Sequence, residues 1–348
     1  MSVLDCVVPQ SYTFLPGSVA ACGGRVRSPH PVAEFVARAP FCAGVMSPRG
    51  VTRSSGCLLG VLCSMLPARV AAQRERAVLR LESFGAAPTE TPSGAASARD
   101  VKQHALQLAL AHRVIRHRGK AMLLVGAQYR DTRVALTGLG APLSGGATSL
   151  TNRVQVVTAD LWMLRTLNAK HTLVAVARPG IYGDLDAIGD QWRVEGALFV
   201  DRIMSPRTTL GLGMSYASNF GRVLAVPVLH VVARPRRRLL VDALLPSRAD
   251  LWWMPRKGLD LGVGASLTGA QYGLANAAAQ PQNANTLQLA NATIGPQLRW
   301  TPRGKVQLTA DAGTTVLRRL EYARGSRTVA DLTPRNVIFG RLGAQWLF

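Results

Sequence analysis

The final segment of the chain alternates without a break: Ile338, Gly340, Leu342, Ala344, Trp346 and Phe348 share one face, and Phe339, Arg341, Gly343, Gln345 and Leu347 the other. Successive side chains of a strand point to opposite sides, so a period of two marks a strand between two environments. The same period recurs in Leu106, Leu108, Leu110; in Leu210, Leu212, Met214, Tyr216; in Leu239, Val241, Ala243, Leu245; in Leu259, Leu261, Val263, Ala265, Leu267; and in Val306, Leu308, Ala310. Twelve strand-like segments follow one another: 103–116, 120–131, 151–165, 170–178, 191–203, 207–217, 222–234, 237–254, 258–274, 285–300, 304–319 and 336–348. Most exceed the usual strand of about 5–6 residues and fit the roughly 9–11 that a tilted strand needs to cross a bilayer. The pattern predicts an all-β fold, a transmembrane antiparallel up-and-down β-barrel of about twelve strands (between about ten and fourteen), over residues 103–348.

Reversals fall at Arg118-Gly119-Lys120, Ser205-Pro206-Arg207, Asn219-Phe220-Gly221 and Pro302-Arg303-Gly304, with longer connections at 134–150, 179–190, 275–284 and 322–334. Short turns on one side should alternate with long loops on the other. Counted back from the last strand this holds for four connections, and then the 179–190 loop falls on the wrong side. Splitting 237–254 at Pro246 and adding a strand near 76–84 would give fourteen and remove the conflict; otherwise one long loop lies with the short turns.

An apolar fraction of 48% with 17% charged residues and 33 glycines is unusual for a soluble enzyme, yet no apolar run reaches the length of a spanning helix. A barrel hides such content at every second position. A soluble β-sandwich would also alternate, but the upstream sequence argues for export. Met46 opens a segment with Arg49 and Arg53, an apolar run from Cys57 to Leu66, and small residues Ala71 and Ala72 before Gln73, the layout of a secretory signal cleaved after Ala72. Residues 1–45 then read as a mis-assigned upstream extension, 46–72 as signal peptide and 73–102 as a flexible periplasmic lead. All five cysteines lie before residue 64, so the processed chain would carry none, as suits passage through an oxidising compartment.

The net charge is +22; residues 1–72 hold six Arg against Asp5 and Glu34, which leaves +18 beyond them. Such a charge raises nucleic-acid binding as a reading. The basic residues gather where strands reverse, however, at Arg116, Arg118 and Lys120, at Arg202 and Arg207, at Arg234 and Arg236 to Arg238, at Arg256 and Lys257, and at Arg303 and Lys305. Turns at a membrane surface meet phosphates, so the expected partners are outer-membrane lipid and lipopolysaccharide, not nucleic acid. The pattern leaves the oligomeric state open.

Several short motifs carry a family resemblance: Arg178-Pro-Gly-Ile-Tyr-Gly-Asp184, Leu210-Gly-Leu-Gly-Met-Ser-Tyr216, Pro227 ahead of an apolar strand, Leu245-Pro-Ser-Arg248 and Gly269-Ala-Gln-Tyr-Gly-Leu274. The stretch 177–322 resembles an uncharacterised, porin-like family of Gram-negative outer-membrane β-barrels of unknown function. The resemblance implies fold and location and no activity. The last strand is also similar to the signal read by the barrel-assembly machinery, with Gly343, Trp346 and Phe348 in place and Leu342 where a polar residue is preferred.

If the face carrying Phe348 meets lipid, the alternation sends Arg193, Glu195, Asp201, Asp242, Arg248, Asp250, Asp260, Arg299, Asp311 and Arg341 inward. These mixed charges either form ion pairs that fill a narrow barrel or line a small water-filled pore. No catalytic, metal or cofactor constellation emerges. His104, His112, His117, His171 and His230 lack metal-ligand spacing, no Gly-x-Ser-x-Gly marks a nucleophile, and Gly211-Leu-Gly213 and Gly262-Val-Gly264 lie inside strands without a third glycine. The expected function is a passive narrow pore for small solutes or ions; the alternatives are an outer-membrane enzyme acting on lipid and a non-conducting structural or receptor barrel.

Overall fold

The computed structural model describes residues 76–90, 98–117, 121–139, 148–185, 191–217, 224–302 and 305–347. The expected upstream extension, the signal peptide and Phe348 lie outside the described residues. Sixteen strands run in chain order: β1 (Arg76–Ala87), β2 (Thr89–Glu90), β3 (Asp100–His117), β4 (Ala121–Thr137), β5 (Ser149–Asn168), β6 (His171–Gly183), β7 (Trp192–Ser205), β8 (Thr208–Ala217), β9 (Leu224–Arg236), β10 (Leu239–Leu245), β11 (Arg248–Arg256), β12 (Leu259–Gly273), β13 (Thr286–Trp300), β14 (Val306–Arg324), β15 (Arg327–Pro334) and β16 (Ile338–Leu347).

Fourteen of them form a closed antiparallel wall. Neighbours pair in the order β1, β3 to β14, β16, and β16 returns to β1 in a register from Arg76↔Leu347 to Phe84↔Phe339. The count is fourteen rather than about twelve, for two physical reasons. Pro246 has no backbone donor and ends β10, and the Ser247 hydroxyl and backbone N–H both bond the Leu244 carbonyl, so 237–254 is a hairpin and not one strand. Residues 76–87, expected as part of a flexible lead, form β1, with Val78, Arg80, Glu82 and Phe84 facing inward and Leu79 and Leu81 outward. With both features, those of the fourteen-strand alternative, every long connection falls at one end of the barrel, including the one after β6. The other end holds both ends of the wall and six short reversals, while the short Pro246–Ser247 turn lies on the side of the long connections.

The wall divides into a lower body and an upper neck. Along β4 the apolar residues face outward at Leu123, Val125 and Ala127, then inward at Val134 and Leu136, beside outward Asp131 and Arg133. No residue is inserted at this change, so the strand keeps its register while its surroundings invert. β14 does the same, from outward Leu308 and Ala310 to inward Leu320 and Tyr322 beside outward Arg319 and Glu321, with an extra residue at Val316. Apolar outside and polar inside suits a wall in lipid; the reverse suits one standing in water.

The neck has a smaller perimeter. β6 and β12, separated by five strands in the body, meet at Gly183 and Gly273, where the Asp184 N–H donates to the Gly273 carbonyl at 3.0 Å. Gly183 has φ +149°, and a Cβ on it would collide with the Gly273 carbonyl oxygen. β15 pairs with the upper half of β14, above β16, and two-residue β2 pairs with β15. The neck is thus built from β3 to β6 and β12 to β15, while the wall at β10 and β11 turns back below it.

Candidate functional site

The neck interior is filled by side chains. Val101, Val134, Leu136, Leu150, Val154, Val156, Tyr182, Tyr272, Leu287, Leu289, Leu320, Tyr322 and Leu332 form one buried cluster with contributions from all eight neck strands. An eight-stranded cylinder is just wide enough for side chains to fill it, whereas more strands leave room. Polar ties cross the same space. Asn152 on β5 donates through Nδ2 to the Tyr322 hydroxyl on β14 at 2.8 Å, and its Oδ1 accepts from Nε2 of Gln280, in the β12–β13 connection, at 2.8 Å. Tyr322 stands above the apolar outer belt, and burial pushes its hydroxyl above the ordinary tyrosine range, with the Asn152 bond opposing in part.

Beneath the neck the interior is part charged and part apolar, the apolar part being a buried cluster of Trp162, Val174, Val176, Phe199, Val228 and Leu244 on β5, β6, β7, β9 and β10. Among the described side chains between the neck and the tight turns, Arg80, Arg130, Arg178, Arg193, Arg248, Arg299, Arg318 and Arg341 sit on the inward face, as do Glu82, Asp160, Glu195, Asp201, Asp242, Asp250, Asp260 and Asp311. Arg76 of β1 shares that face, both signs are present, and most of the groups pair. Glu82 accepts from Arg341 at 2.6 Å and Arg130 at 2.8 Å; Arg178 bridges Asp160 at 2.7 Å and Glu195 at 3.1 Å; Arg80 lies 3.3 Å from Asp311. Arg248 joins Asp242 at 3.2 Å and Asp250 at 3.3 Å, and Arg299 reaches Asp260 at 3.5 Å while stacking over Trp252 at 4.1 Å. His230 contacts Asp201 at 2.8 Å. Ion pairs this buried offset their desolvation only when further hydrogen bonds satisfy the remaining groups, and Gln297 to Asp250 (3.1 Å) and Arg341 to Ser266 (3.4 Å) are of that kind.

The ten charges picked out in the sequence lie on the inward face, where the structure adds Arg76, Arg80, Glu82, Arg130, Asp160, Arg178 and Arg318 to them. Arg80 and Glu82 were hidden in the supposed lead. Asp160 and Arg178 lie on strands apolar on both faces, where alternation does not say which way is in. The outward Trp253, Trp300 and Trp346 cluster toward the tight-turn end and Tyr129, Tyr216 and Trp192 higher up, whereas Trp252, Tyr182 and Tyr272 point inward. Gly211, Gly213, Gly262 and Gly264 face the crowded interior, where a Cβ on Gly262 would meet the Trp252 ring at 2.7 Å. Gly343 faces inward and Trp346 outward.

One interior hollow of about 50 Å³ lies between the neck and the charged belt, bounded by Gln103, Gln128, Arg130, Arg178, Glu195 and Asn291 among others. A larger one, about 1040 Å³, is lined by Leu81, Leu106, Leu261, Leu298 and Leu342 and so belongs to the exterior. Ser83 and His104 hydrogen-bond at 3.0 Å on the outer surface. Among the described residues no group of three or more His, Cys, Asp or Glu could hold a metal ion, and no helix is long and apolar enough to cross a membrane.

Residues 147–332 match the profile of DUF6268, a domain of unknown function. No protein of curated function matches the sequence. Among solved structures, the chain is similar to the Pseudomonas putida toluene transporter TodX (11% identity, 80% of this chain and 90% of that one, TM-score 0.43). It is also similar to an outer-membrane channel from Pseudomonas putida F1 (12%, 82% and 100%, 0.43) and to the β domain of the Bordetella autotransporter BrkA (13%, 79% and 100%, 0.34).

Proposed function

Within the DUF6268 family of unknown function, to which the chain belongs, we propose that this protein is an outer-membrane pore for small solutes or ions, shut at its neck in the conformation described. The observation that carries the reading is the inversion of polarity along the wall. An apolar exterior around a body whose inward face carries many charged side chains of both signs suits a barrel in a bilayer with a partly wet interior, and the neck above it suits a gate standing clear of the membrane. The outward tryptophans at the lower edge of the apolar belt support the placement. Tight turns face the periplasm in such barrels, so the neck opens outside.

Conductance in planar bilayers tests this. The refolded wild-type chain is expected to stay mostly closed, and Leu287→Ser combined with Tyr322→Ala to give long-lived open events. A variant that inserts and folds yet carries no current at any voltage would leave a structural barrel and overturn the pore.

A further inference from the structure

The tight-turn rim has a charge pattern that the pore does not use. It holds six reversals: 117–121, 168–171, 205–208, 236–239, 256–259 and 300–306. Each carries at least one Lys or Arg, and none carries Asp or Glu. Arg165 and Arg202 extend the ring up the outer wall, where they follow Met163 and Val200 on the outward face. Every carboxylate on the nearby strands points inward to a cation or to His230, so the described basic groups of this rim face solvent without an acidic neighbour. The opposite end differs: there acidic and basic groups mix and pair, as in Arg153 with Asp131 and Arg319 with Asp331, each at 2.6 Å.

We propose that this basic crown binds the headgroups of anionic phospholipids in the leaflet at the tight-turn end. This rests on the outer-membrane reading, which places that end in the periplasmic, phospholipid leaflet rather than against lipopolysaccharide. Three features favour lipid over a soluble polyanion. The reversals are too short to form a cleft, Arg165 and Arg202 project sideways from the wall, and Trp253, Trp300 and Trp346 lie just above the crown at the edge of the apolar belt. Arginine beside interfacial tryptophan is suited to a phosphate at the end of an acyl chain.

Tryptophan quenching tests the proposal with the full chain in vesicles of phosphatidylcholine and phosphatidylglycerol, one of the two carrying brominated acyl chains. Brominated phosphatidylglycerol is expected to quench at least about twofold more than brominated phosphatidylcholine at the same mole fraction, because the annulus is enriched in it, and the excess should fade as salt screens the crown. Arg236→Gln, Arg237→Gln, Arg238→Gln, Arg256→Gln and Lys257→Gln together should abolish the excess without lowering insertion. Equal quenching by the two lipids in wild type overturns the crown's role, and retention of that protein on a polyphosphate column would assign it to a soluble polyanion. Absence of quenching by either lipid would instead sink the membrane reading itself.

Discussion

The side chains of Asn152 and Tyr322 meet at 2.8 Å from opposite sides of the neck, both buried, with the amide donating and the phenol oxygen accepting. Tyr322→Phe removes the acceptor and leaves a buried N–H without a partner, at a cost of about 1–3 kcal/mol. The urea midpoint should fall accordingly, and open events in bilayers should become more frequent. An unchanged midpoint would mean that the contact contributes nothing to closure.

Tyr322 also predicts alkaline opening. Its pKa is raised by burial, so the fold favours the protonated phenol. That stabilisation is fully present below the ordinary tyrosine value of about 10 and is lost as the pH climbs through the raised one. Absorbance of tyrosinate should show one group titrating late, missing in Tyr322→Phe, and closure should weaken only above about pH 10.

Arg318 is buried, donates to the Val101 carbonyl at 3.2 Å, lies over the Phe84 ring at 5.5 Å, and has no carboxylate partner among the described residues. A charge placed so costs more than a shape-matched apolar side chain. Arg318→Met is therefore expected to raise stability by about 1–2 kcal/mol, read as a higher urea midpoint. A drop would show that the guanidinium has a role that its neighbours do not reveal.

Two arginine deletions should behave differently. Arg178→Ala withdraws the cation shared by buried Asp160 and Glu195, and about 3–5 kcal/mol should be lost. Arg153→Ala breaks the Asp131 pair on the exposed outer wall, where the loss should stay under about 1 kcal/mol and shrink with salt. Equal effects in chemical denaturation would contradict the difference in burial.

The body was legible in the sequence where its strands are apolar toward lipid and polar toward the lumen, as in Leu261, Val263 and Asp260, and less so on β5 and β6, where Trp162, Val174 and Val176 face inward as well. β1 stood only as the fourteen-strand alternative to a flexible lead, because Ser83, Gly85 and Ala86 weaken its alternation and resemble a linker. The neck was missed for a different reason. Its signal is present locally, in Arg133, Val134, Ala135 and Leu136 after Leu123, Val125 and Ala127, but it reads as faulty alternation unless the wall is known to leave the bilayer there. That Gly183 and Gly273 should then meet across five intervening strands follows from no local pattern, since each lies at a strand end beside a loop. The ion pairs were half legible: parity gave the facing, and partner choice such as Arg178 with both Asp160 and Glu195 needed the register.

Among the described residues, none of the buried apolar side chains that fill the neck comes from β7 to β11. The throat's bore and the hull's fit to the bilayer are consequently specified by partly separate residues. Mutations confined to that five-strand arc can adjust how the molecule sits among lipids and leave the throat as it is, while changes at Tyr182, Tyr272 or Tyr322 can retune passage in a hull of unaltered girth.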